Sequence, residues 1–444
     1  METSTLNLPA TAPITRMADG TIKQINPLSG TEVWTIPGRA NRPLRPANPE
    51  PGPVDTARTG HHCAFCSGRY LETPPEKARI ITEDGAWRTL LNVPASKLFD
   101  TTAEFRRIPN LFEILSLEYW QSNYGYQIPS QVIDRRDAYL VEDAGWEHVL
   151  AIVRTKLLAS GFTASEIDAL DERTLISFAD AFFASGHDVI VARRHYVDDA
   201  RSTADLAASG SLSPDEHHQY IAMTVETMRD LYRKYPQAKY VAAFQNWLKP
   251  AGASFDHLHK QLVTIDERGV QAEREIAKVA LSPDIYNRLA LNYAIAHGLV
   301  IAENEHAIAF AGFGHRFPTL EIYSKAAANF PWKHHPDAVR GMSDLIHACH
   351  VATGPEIATN EEWYHRPPDT ETKMPWRVML KWRVSTLAGF EGGTKINVNT
   401  IDPFALADRA LTQLTAHRER LASGIALGAE CDARPGSLAY QSEK

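Results

Sequence analysis

Residues 244–265 read FQNWLKPAGASFDHLHKQLVTI and carry the pattern that decides the fold. An extended segment leads into a loop rich in proline, glycine and alanine, and a second extended segment follows. Two histidines, His257 and His259, stand two residues apart and are followed by Gln261. Because residues i and i+2 point to the same side of an extended chain, we expect the three side chains to share one face. On such a face, one histidine can bind a metal while the next contacts a substrate. The alternative is a solvated strand face that carries polar residues without a function.

Short β-branched segments lie on both sides of this stretch, and each predicts a strand. The four clearest segments are DVIVA at 188–192, KYVAAF at 239–244, LEIYS at 320–324 and RVMLKWRV at 377–384. Residues 138–184 and 203–235 are predicted to be mainly helical, with Ser213 as an N-cap before Pro214. The strand and helix pattern repeats weakly, which favours two similar α+β halves with antiparallel sheets.

Length and composition exclude several classes of protein. At 444 residues we expect two or three domains. The formal net charge of −8 argues against a nucleic-acid-binding protein. The sequence contains no run of about 18 apolar residues, so we expect no membrane span. The start of the sequence lacks the pattern of a signal peptide. We therefore expect a cytoplasmic protein.

The cysteines are too few for a disulfide scaffold, since the chain has four. Cys63 and Cys66 stand three residues apart, whereas Cys349 and Cys431 are isolated. In a cytoplasmic protein such a close pair binds a metal or takes part in redox chemistry more often than it forms a structural disulfide. A free or redox-active pair is the alternative to a metal site.

The flanks of the two histidines resemble a known active-site sequence. Asn246, a small-residue loop with Gly252 and Ser254, and the His-x-His-x-Gln run resemble the galactose-1-phosphate uridylyltransferase family, a branch of the histidine-triad superfamily. The family's usual proline between the histidines is Leu258 here. Five further segments are similar to family motifs: PGRANRP at 37–43, HHCAFCSGRYLETPPE at 61–76, RIPNLF at 107–112, GHDVIVARRH at 186–195 and AGFEGGTKINVN at 388–399.

The resemblance implies an α+β fold of two histidine-triad-like halves, each an antiparallel sheet with packed helices. We expect an N-terminal half at 21–275, which carries the metal site and a helical insert at about 115–180, and a C-terminal half at 276–430. Flexible tails are expected at 1–20 and 431–444. The resemblance also implies a homodimer.

The resemblance implies one Zn²⁺ held by four residues, Cys63, Cys66, His195 and His257. Two cysteines and two histidines form a closed tetrahedral set that suits structural zinc. His61 and His62 could replace a ligand, and His187 is another histidine near the strand. The alternative for each of the three is a surface or packing residue.

A second metal site occurs in many family members and is built partly on an HWH triplet. That triplet falls on Pro375-Trp376-Arg377, so both of its histidines are missing, although His365 remains upstream. We expect the second metal site to be absent.

The resemblance implies that His259 is a nucleophile that accepts a nucleoside monophosphate. A neutral imidazole nitrogen is nucleophilic when the other ring nitrogen donates to a fixed acceptor. Gln261 and Ser254 are expected to donate to the phosphoryl oxygens during the displacement. Six more residues are expected to bind the substrate or its phosphates: Asn246, Gly252, Asn110, Arg39, Arg42 and Lys260.

The implied activity is nucleotidyl transfer between sugar 1-phosphates, most directly a UDP-glucose:hexose-1-phosphate uridylyltransferase. A dinucleoside polyphosphate or nucleotide-sugar phosphorylase, which uses inorganic phosphate, is the alternative, and Lys260 favours it as a further phosphate-attracting charge. A zinc-stabilised binding protein without catalysis is the second alternative. The expected partners are a nucleotide sugar and a sugar 1-phosphate or phosphate.

Overall fold

The computed structural model describes residues 12–38, 51–385 and 388–443, and within these ranges the chain forms sixteen strands and twelve α-helices. The strands are β1 (Ile14–Arg16), β2 (Ile22–Ile25), β3 (Glu32–Thr35), β4 (Ala78–Glu83), β5 (Ala86–Leu91), β6 (Phe105–Pro109), β7 (His187–Ala192), β8 (Tyr240–Trp247), β9 (His259–Ile265), β10 (Val300–Glu303), β11 (Ala307–Ala311), β12 (Thr319–Ser324), β13 (Thr359–Tyr364), β14 (Arg377–Trp382), β15 (Ile396–Asn399) and β16 (Ala426–Leu427). The helices are α1 (Leu117–Tyr124), α2 (Ser130–Leu140), α3 (Asp143–Ala159), α4 (Ala164–Asp168), α5 (Glu172–Ser177), α6 (Asp180–Ala184), α7 (Pro214–Lys234), α8 (Gly269–Leu281), α9 (Asn292–Ala296), α10 (Pro336–Thr353), α11 (Gly389–Thr394) and α12 (Pro403–Ala416).

Twelve of these strands form one antiparallel sheet in the order β5-β4-β6-β7-β9-β8-β13-β14-β12-β11-β10-β16. The first six strands come from the N-terminal part of the chain and the last six from the C-terminal part. The two groups join where β8 pairs with β13, with Asn360 opposite Asn246. The predicted α+β fold of two halves is confirmed. The strands of the two halves form one continuous sheet because β8 and β13 would each be an edge strand with unpaired backbone groups. Each strand satisfies the hydrogen-bonding groups of the other.

Alternation along β8 and β9 gives the large sheet two different faces near the joint. The side chains of β8 are alternately buried and half-buried from Val241 to Trp247. On the buried side, α7 and α10 pack against each other and against the sheet. The other side carries His259 and Gln261, and Phe244 stands opposite Gln261 in the register. We call this second side the open face.

Helix α7 starts as the sequence predicts. The Ser213 hydroxyl accepts a hydrogen bond from the backbone N–H of Glu216, whose carboxylate accepts from the N–H of Ser213. This reciprocal pair is a capping box, and Pro214 occupies the first turn. The predicted helical segment 203–235 is therefore too long, because its helix begins only at residue 214.

Helices α1 to α6 fill the chain between β6 and β7. They bury a core of their own around Trp120, Val149 and Phe182, which is separate from the core under the large sheet. The segment 138–184 is largely helical, as the sequence predicts.

Within the described residues, parts of the two expected tails, 1–20 and 431–444, are structured. Ile14–Arg16 forms β1 and pairs with β2 in a small sheet of order β1-β2-β3-β15. Near the other end, Tyr440 is fully buried and its hydroxyl donates to the carbonyl of Pro283. Backbone pairing at one end and aromatic burial at the other hold these segments in place. None of the helices in the described ranges combines the length and the apolar character that crossing a membrane requires.

Candidate functional site

His259 is the first residue of β9 and lies on the open face with 5% of its surface exposed. Its Nδ1 donates a hydrogen bond of 2.7 Å to the backbone carbonyl of His257. Burial lowers the pKa of His259 to about 4, so the imidazole is neutral near pH 7. Because the proton is on Nδ1, the lone pair of Nε2 is free, which is the state in which an imidazole acts as a nucleophile.

Gln261 follows on the same strand face and is half-buried. Its Oε1 lies 3.0 Å from Nε2 of His187 and 3.4 Å from Nδ2 of Asn110. The Oδ1 of Asn110 accepts from the backbone N–H of Phe112. The amide nitrogen of Gln261 has no hydrogen-bond partner among the described residues, so it is available to a ligand above the open face.

The end of β8 and the loop that follows it carry three of the predicted residues. Asn246 belongs to the open face, and its Oδ1 accepts a hydrogen bond of 2.7 Å from Nδ2 of Asn360. Gly252 closes the turn Lys249–Ala251 with φ +89°, a left-handed conformation that favours glycine. Ser254 is exposed, and its hydroxyl has no partner in the described part of the chain. The structure thus brings Asn246 to the face and leaves Ser254 in an exposed loop.

Four side chains form a group that could hold a metal ion. The donor atoms of Cys63, Cys66, His195 and His257 all lie within 4.8 Å of one another, and within the described ranges no other such group of three or more is present. The two sulfur atoms are 3.8 Å apart, and Nδ1 of His257 lies 3.4 Å from Sγ of Cys63 and 3.8 Å from Sγ of Cys66. A hydrogen bond from Cys63, together with contacts to both histidines, lowers the pKa of the Cys66 thiol.

His257 connects this group to the open face. Its Nε2 donates a hydrogen bond of 2.6 Å to the carbonyl of Ala192 at the end of β7, which turns the lone pair of Nδ1 towards the cysteines. Its own carbonyl accepts from Nδ1 of His259. The metal-binding group therefore adjoins the strand that carries His259.

Aromatic rings cover His259 on the side of the cysteine pair. The ring of Phe65 lies 5.3 Å from that of His259 and 4.6 Å from that of Phe255. Phe65 also packs against the apolar group of Ile108 and Val189. These contacts reduce the exposure of the imidazole and account for its lowered pKa.

Lys260 lies on the opposite face of the sheet from His259. It is completely buried and forms an ion pair of 2.6 Å with Glu361 of β13, while Gln245 accepts a further hydrogen bond. The ring of Tyr220 in α7 covers its ammonium group. The expectation that Lys260 meets a phosphate is therefore wrong, because neighbouring residues of a strand point to opposite faces.

Arg39 and Arg42, the two predicted counter-charges for phosphate, lie outside the described residues. At the missing HWH triplet, Trp376 is fully buried and Arg377 forms a buried ion pair with Glu275. His365 is buried as well, and its Nε2 contacts the hydroxyl of Tyr232.

A cavity of about 320 Å³ opens on the open face where the two halves join. It extends from Phe244 and Asn246 of β8 to Asn360, Glu362 and Tyr364 of β13. A polar rim and aromatic walls are typical of a site for a small polar ligand.

Two residues of the site are not among those that the sequence predicts to act there: His187, which is expected to be a surface or packing residue, and Asn360. Each reaches the open face by strand pairing, His187 through β7 and β9 and Asn360 through β8 and β13. Two sequence signals were available for His187: its place at the start of a predicted strand and its place within the segment GHDVIVARRH at 186–195.

Comparisons with known proteins identify the fold. Among curated proteins none matches the sequence. An ADP-glucose phosphorylase from Arabidopsis thaliana, solved with bound ADP-glucose, has a similar structure with a TM-score of 0.56 at 17% identity, over 88% of this chain and 98% of that chain. A GalT-like protein from Arabidopsis thaliana gives the same TM-score at 16% identity and the same two coverages. These likenesses confirm the predicted resemblance at the level of the fold.

A family model covers nearly all of the chain, since it matches residues 17–440. The chain therefore belongs to the family described as Domain of unknown function (DUF4921).

Proposed function

We propose that the protein is a nucleotidyltransferase that moves a nucleoside monophosphate from a nucleotide sugar to a phosphate acceptor through a covalent intermediate on His259. One observation carries this proposal: the Nδ1 proton of His259 is held by the carbonyl of His257, which leaves Nε2 unprotonated on the open face. The half-buried amide of Gln261 lies two residues further along the same face. A fixed neutral imidazole beside a free donor suits attack on a phosphoryl group.

In the first step Nε2 of His259 attacks the α-phosphorus of the nucleotide sugar. A P–N bond forms while the bond from phosphorus to the bridging oxygen breaks, and the sugar 1-phosphate leaves with that electron pair. The imidazole keeps its Nδ1 proton, and the positive charge that develops on the ring strengthens the hydrogen bond to the carbonyl of His257. In the second step an acceptor phosphate oxygen attacks the same phosphorus, and the P–N bond breaks to restore neutral His259.

Donors around the phosphorus have a separate role. Gln261 would donate through its free amide nitrogen to an oxygen whose charge increases during the displacement. Asn246, Asn110 and Gly252 are proposed to bind the phosphates or the loop that holds them. Ser254 would contribute only if the loop closes on the ligand. Arg39 and Arg42 remain proposed counter-charges.

We propose zinc for the metal-binding group. Two thiolates and two imidazoles are the ligands of closed structural zinc sites, and Zn–S bonds of about 2.3 Å in a tetrahedron separate two sulfur atoms by about 3.8 Å. The sulfur atoms of Cys63 and Cys66 are 3.8 Å apart. When bound, the ion would tie the cysteine segment to His195 and His257, and it leaves no open position for a substrate.

The acceptor distinguishes two candidate activities. Exchange between UDP-glucose and a hexose 1-phosphate is the first candidate, because the motifs around His259 resemble the uridylyltransferases. Phosphorolysis of a nucleotide sugar is the second, and the likeness to an ADP-glucose phosphorylase over 98% of that chain favours it. Lys260 does not contribute to this choice, because it is buried on the other face.

A panel of nucleotide sugars tests the proposal. UDP-glucose and ADP-glucose are each incubated with galactose 1-phosphate or inorganic phosphate, and the products are identified by mass spectrometry. We expect turnover with at least one donor and acceptor pair, and loss of turnover in His259→Ala. Full turnover by His259→Ala, or no turnover across the panel by folded, zinc-loaded protein, would refute the proposal and favour a non-catalytic binding protein.

A further inference from the structure

A buried histidine contacts the proposed catalytic amide from the neighbouring strand. His187 is the first residue of β7, stands opposite Val263 of β9 and is 1% exposed. Its Nε2 lies 3.0 Å from Oε1 of Gln261. His187 is not among the donors of the metal-binding group. The proposed function leaves this residue without a role.

The hydrogen bonds of His187 determine which ring nitrogen carries the proton. The backbone N–H of Ile114 donates to Nδ1 of His187 at 3.3 Å, so Nδ1 is an acceptor and holds no proton. The proton of the neutral ring is therefore on Nε2. Oε1 of Gln261 is the acceptor within reach of that proton. Burial lowers the pKa of His187 to about 4, which keeps the ring neutral at pH 7.

Asn110 acts on the same oxygen atom. Because Oδ1 of Asn110 accepts from the backbone N–H of Phe112, its Nδ2 points the other way. That Nδ2 lies 3.4 Å from Oε1 of Gln261. It also lies 3.0 Å from Nε2 of His187, which carries a proton in this tautomer and therefore does not accept from it. Two N–H donors on Oε1 disfavour the flipped amide, which would set an NH₂ group against two donors.

We propose that His187 is a positioning residue which, together with Asn110, fixes the side-chain amide of Gln261 so that its NH₂ group faces the phosphoryl oxygens of the ligand. This inference rests on the proposed function, because it gives Gln261 a donor role in nucleotidyl transfer. His187 itself touches neither the ligand nor His259. Its effect on the rate is exerted through Gln261.

The orientation matters because the two ends of an amide are nearly equal in shape and opposite in function. With Oε1 towards the ligand, Gln261 would repel a phosphoryl oxygen, whereas its NH₂ group donates to it. Donors that are already oriented need no reorganisation when charge develops. A glutamine whose amide is not held samples both orientations, and only one of them donates to the ligand. A fixed amide is always in the donating orientation.

A double-mutant cycle tests the inference in the zinc-loaded chain of 444 residues. The variants are His187→Phe, which keeps a ring but removes the donor, Gln261→Ala, and the combination of both. If His187 acts through Gln261, His187→Phe lowers kcat by about 10- to 100-fold in the wild-type background and by less than about 2-fold in Gln261→Ala. KM should change less than kcat, because the donor acts on charge that develops in the transition state.

Two further variants separate positioning from packing. His187→Gln carries an N–H donor at about the place of Nε2 and should recover most of the lost rate. His148→Phe is the matched control, because His148 is also buried, with 4% of its surface exposed, but hydrogen-bonds to Tyr139 and Thr73 away from the open face. We expect folded His148→Phe to keep the wild-type kcat. Equal losses from His187→Phe in both backgrounds, or an unchanged kcat in folded His187→Phe, would overturn the inference.

A measurement that needs no activity completes the test. Long-range ¹H–¹⁵N correlation spectra of ¹⁵N-histidine-labelled protein report the tautomer of each ring. We expect His187 to carry its proton on Nε2, and a proton on Nδ1 would overturn the inference even where His187→Phe fails to fold. The proposed function is tested separately by turnover in the wild type and its loss in His259→Ala, so the two failures are distinguishable.

Discussion

Nδ1 of His259 donates a 2.7 Å hydrogen bond to the backbone carbonyl of His257. The same His257 points its own Nδ1 at the two cysteines and donates from Nε2 to the carbonyl of Ala192. One residue thus links the metal-binding group, the end of β7 and the proposed nucleophile. Displacement of His257 would move the acceptor that holds the proton of His259.

Loss of the metal should therefore reduce activity without removing any catalytic side chain. We predict that Cys66→Ser lowers the bound zinc from about one ion per chain to about one tenth of that value, because one of four ligands is lost. Turnover should fall at least 10-fold. Inductively coupled plasma mass spectrometry measures the metal, and nucleotide-sugar turnover measures the activity.

Cys431→Ser is the control for this prediction. Cys431 is half-buried, and its Sγ contacts the carbonyl of Ala426, far from the metal-binding group in the fold. This variant should retain both zinc and activity. Full zinc occupancy in Cys66→Ser would contradict the assignment of Cys66 as a ligand.

The buried pair of Lys260 and Glu361 should stabilise the joint between the halves rather than bind substrate. Burial alone would raise the pKa of the Glu361 carboxyl. Lys260 and His350 outweigh this effect and hold that pKa below its usual range. Removal of one partner leaves a buried charge, so we predict that Lys260→Met lowers the free energy of unfolding by about 3–5 kcal/mol. Urea unfolding measures this change.

The double variant Lys260→Met/Glu361→Gln should recover part of that loss, since neither buried charge then remains unpaired. KM for the acceptor phosphate should stay within about 2-fold of wild type in any variant that folds. A selective increase of that KM by 10-fold or more would restore a substrate-binding role for Lys260.

Asn360 should contribute to the site from the C-terminal half. Its Nδ2 donates to Oδ1 of Asn246 and to the carbonyl of Ala251, at 2.7 and 2.9 Å. We predict that Asn360→Ala lowers kcat/KM by about 10-fold, which corresponds to about 1.4 kcal/mol, because Asn246 loses its support. Steady-state kinetics with the nucleotide sugar measure the effect.

Asn397→Ala is the matched control, since Asn397 is as buried as Asn360 and donates to the carbonyl of Glu32 in the small sheet. It should leave kcat/KM unchanged. Equal effects of the two substitutions would indicate a general loss of stability instead of a role at the site.

Stability should fall in mild acid because several histidines are buried in the neutral form. Burial lowers the pKa of His334 to about 4, and both of its ring nitrogens are hydrogen-bonded, to Ser324 and to the carbonyl of Phe330. Between pH 6.5 and pH 4 the unfolded chain binds a proton at this residue and the native state does not. The contribution of neutral His334 to the free energy of unfolding is therefore complete above about pH 6.5 and is lost as the pH falls towards 4.

At pH 5 this one residue accounts for about 2 kcal/mol of that loss. His334→Gln should accordingly show a shallower decline of unfolding free energy from pH 7 to pH 5 than the wild type. Urea titrations at the two pH values measure both slopes. Identical slopes would show that His334 does not bind a proton on unfolding.

The sequence predicts the open face because period-2 alternation is local information. The spacing of His259 and Gln261 is sufficient to place them on one side of a strand. The same rule places Lys260 on the other side of the strand. The sequence alone therefore already argues against Lys260 as a phosphate-binding residue. The resemblance to a family, and not a local pattern, predicts that the cysteine pair and two histidines share a metal site. The structure brings all four residues together.

Contacts made by strand pairing could not be predicted in this way. His187 lies 74 residues from Gln261 in the sequence, and Asn360 lies 114 residues from Asn246. Their meeting depends on the order of strands in a twelve-stranded sheet, which no local pattern contains. The exposed position of Ser254 likewise depends on how the loop leaves β8.

The most direct test of the account is the mass of the protein after incubation with a nucleotide sugar in the absence of acceptor. Intact-protein and peptide mass spectrometry, under conditions that preserve P–N bonds, should find one added nucleoside monophosphate on the peptide that contains His259. The adduct should disappear in His259→Ala and on addition of the acceptor. An adduct on another residue, or turnover by the wild type with no adduct on His259 under any rapid-quench condition, would contradict the account.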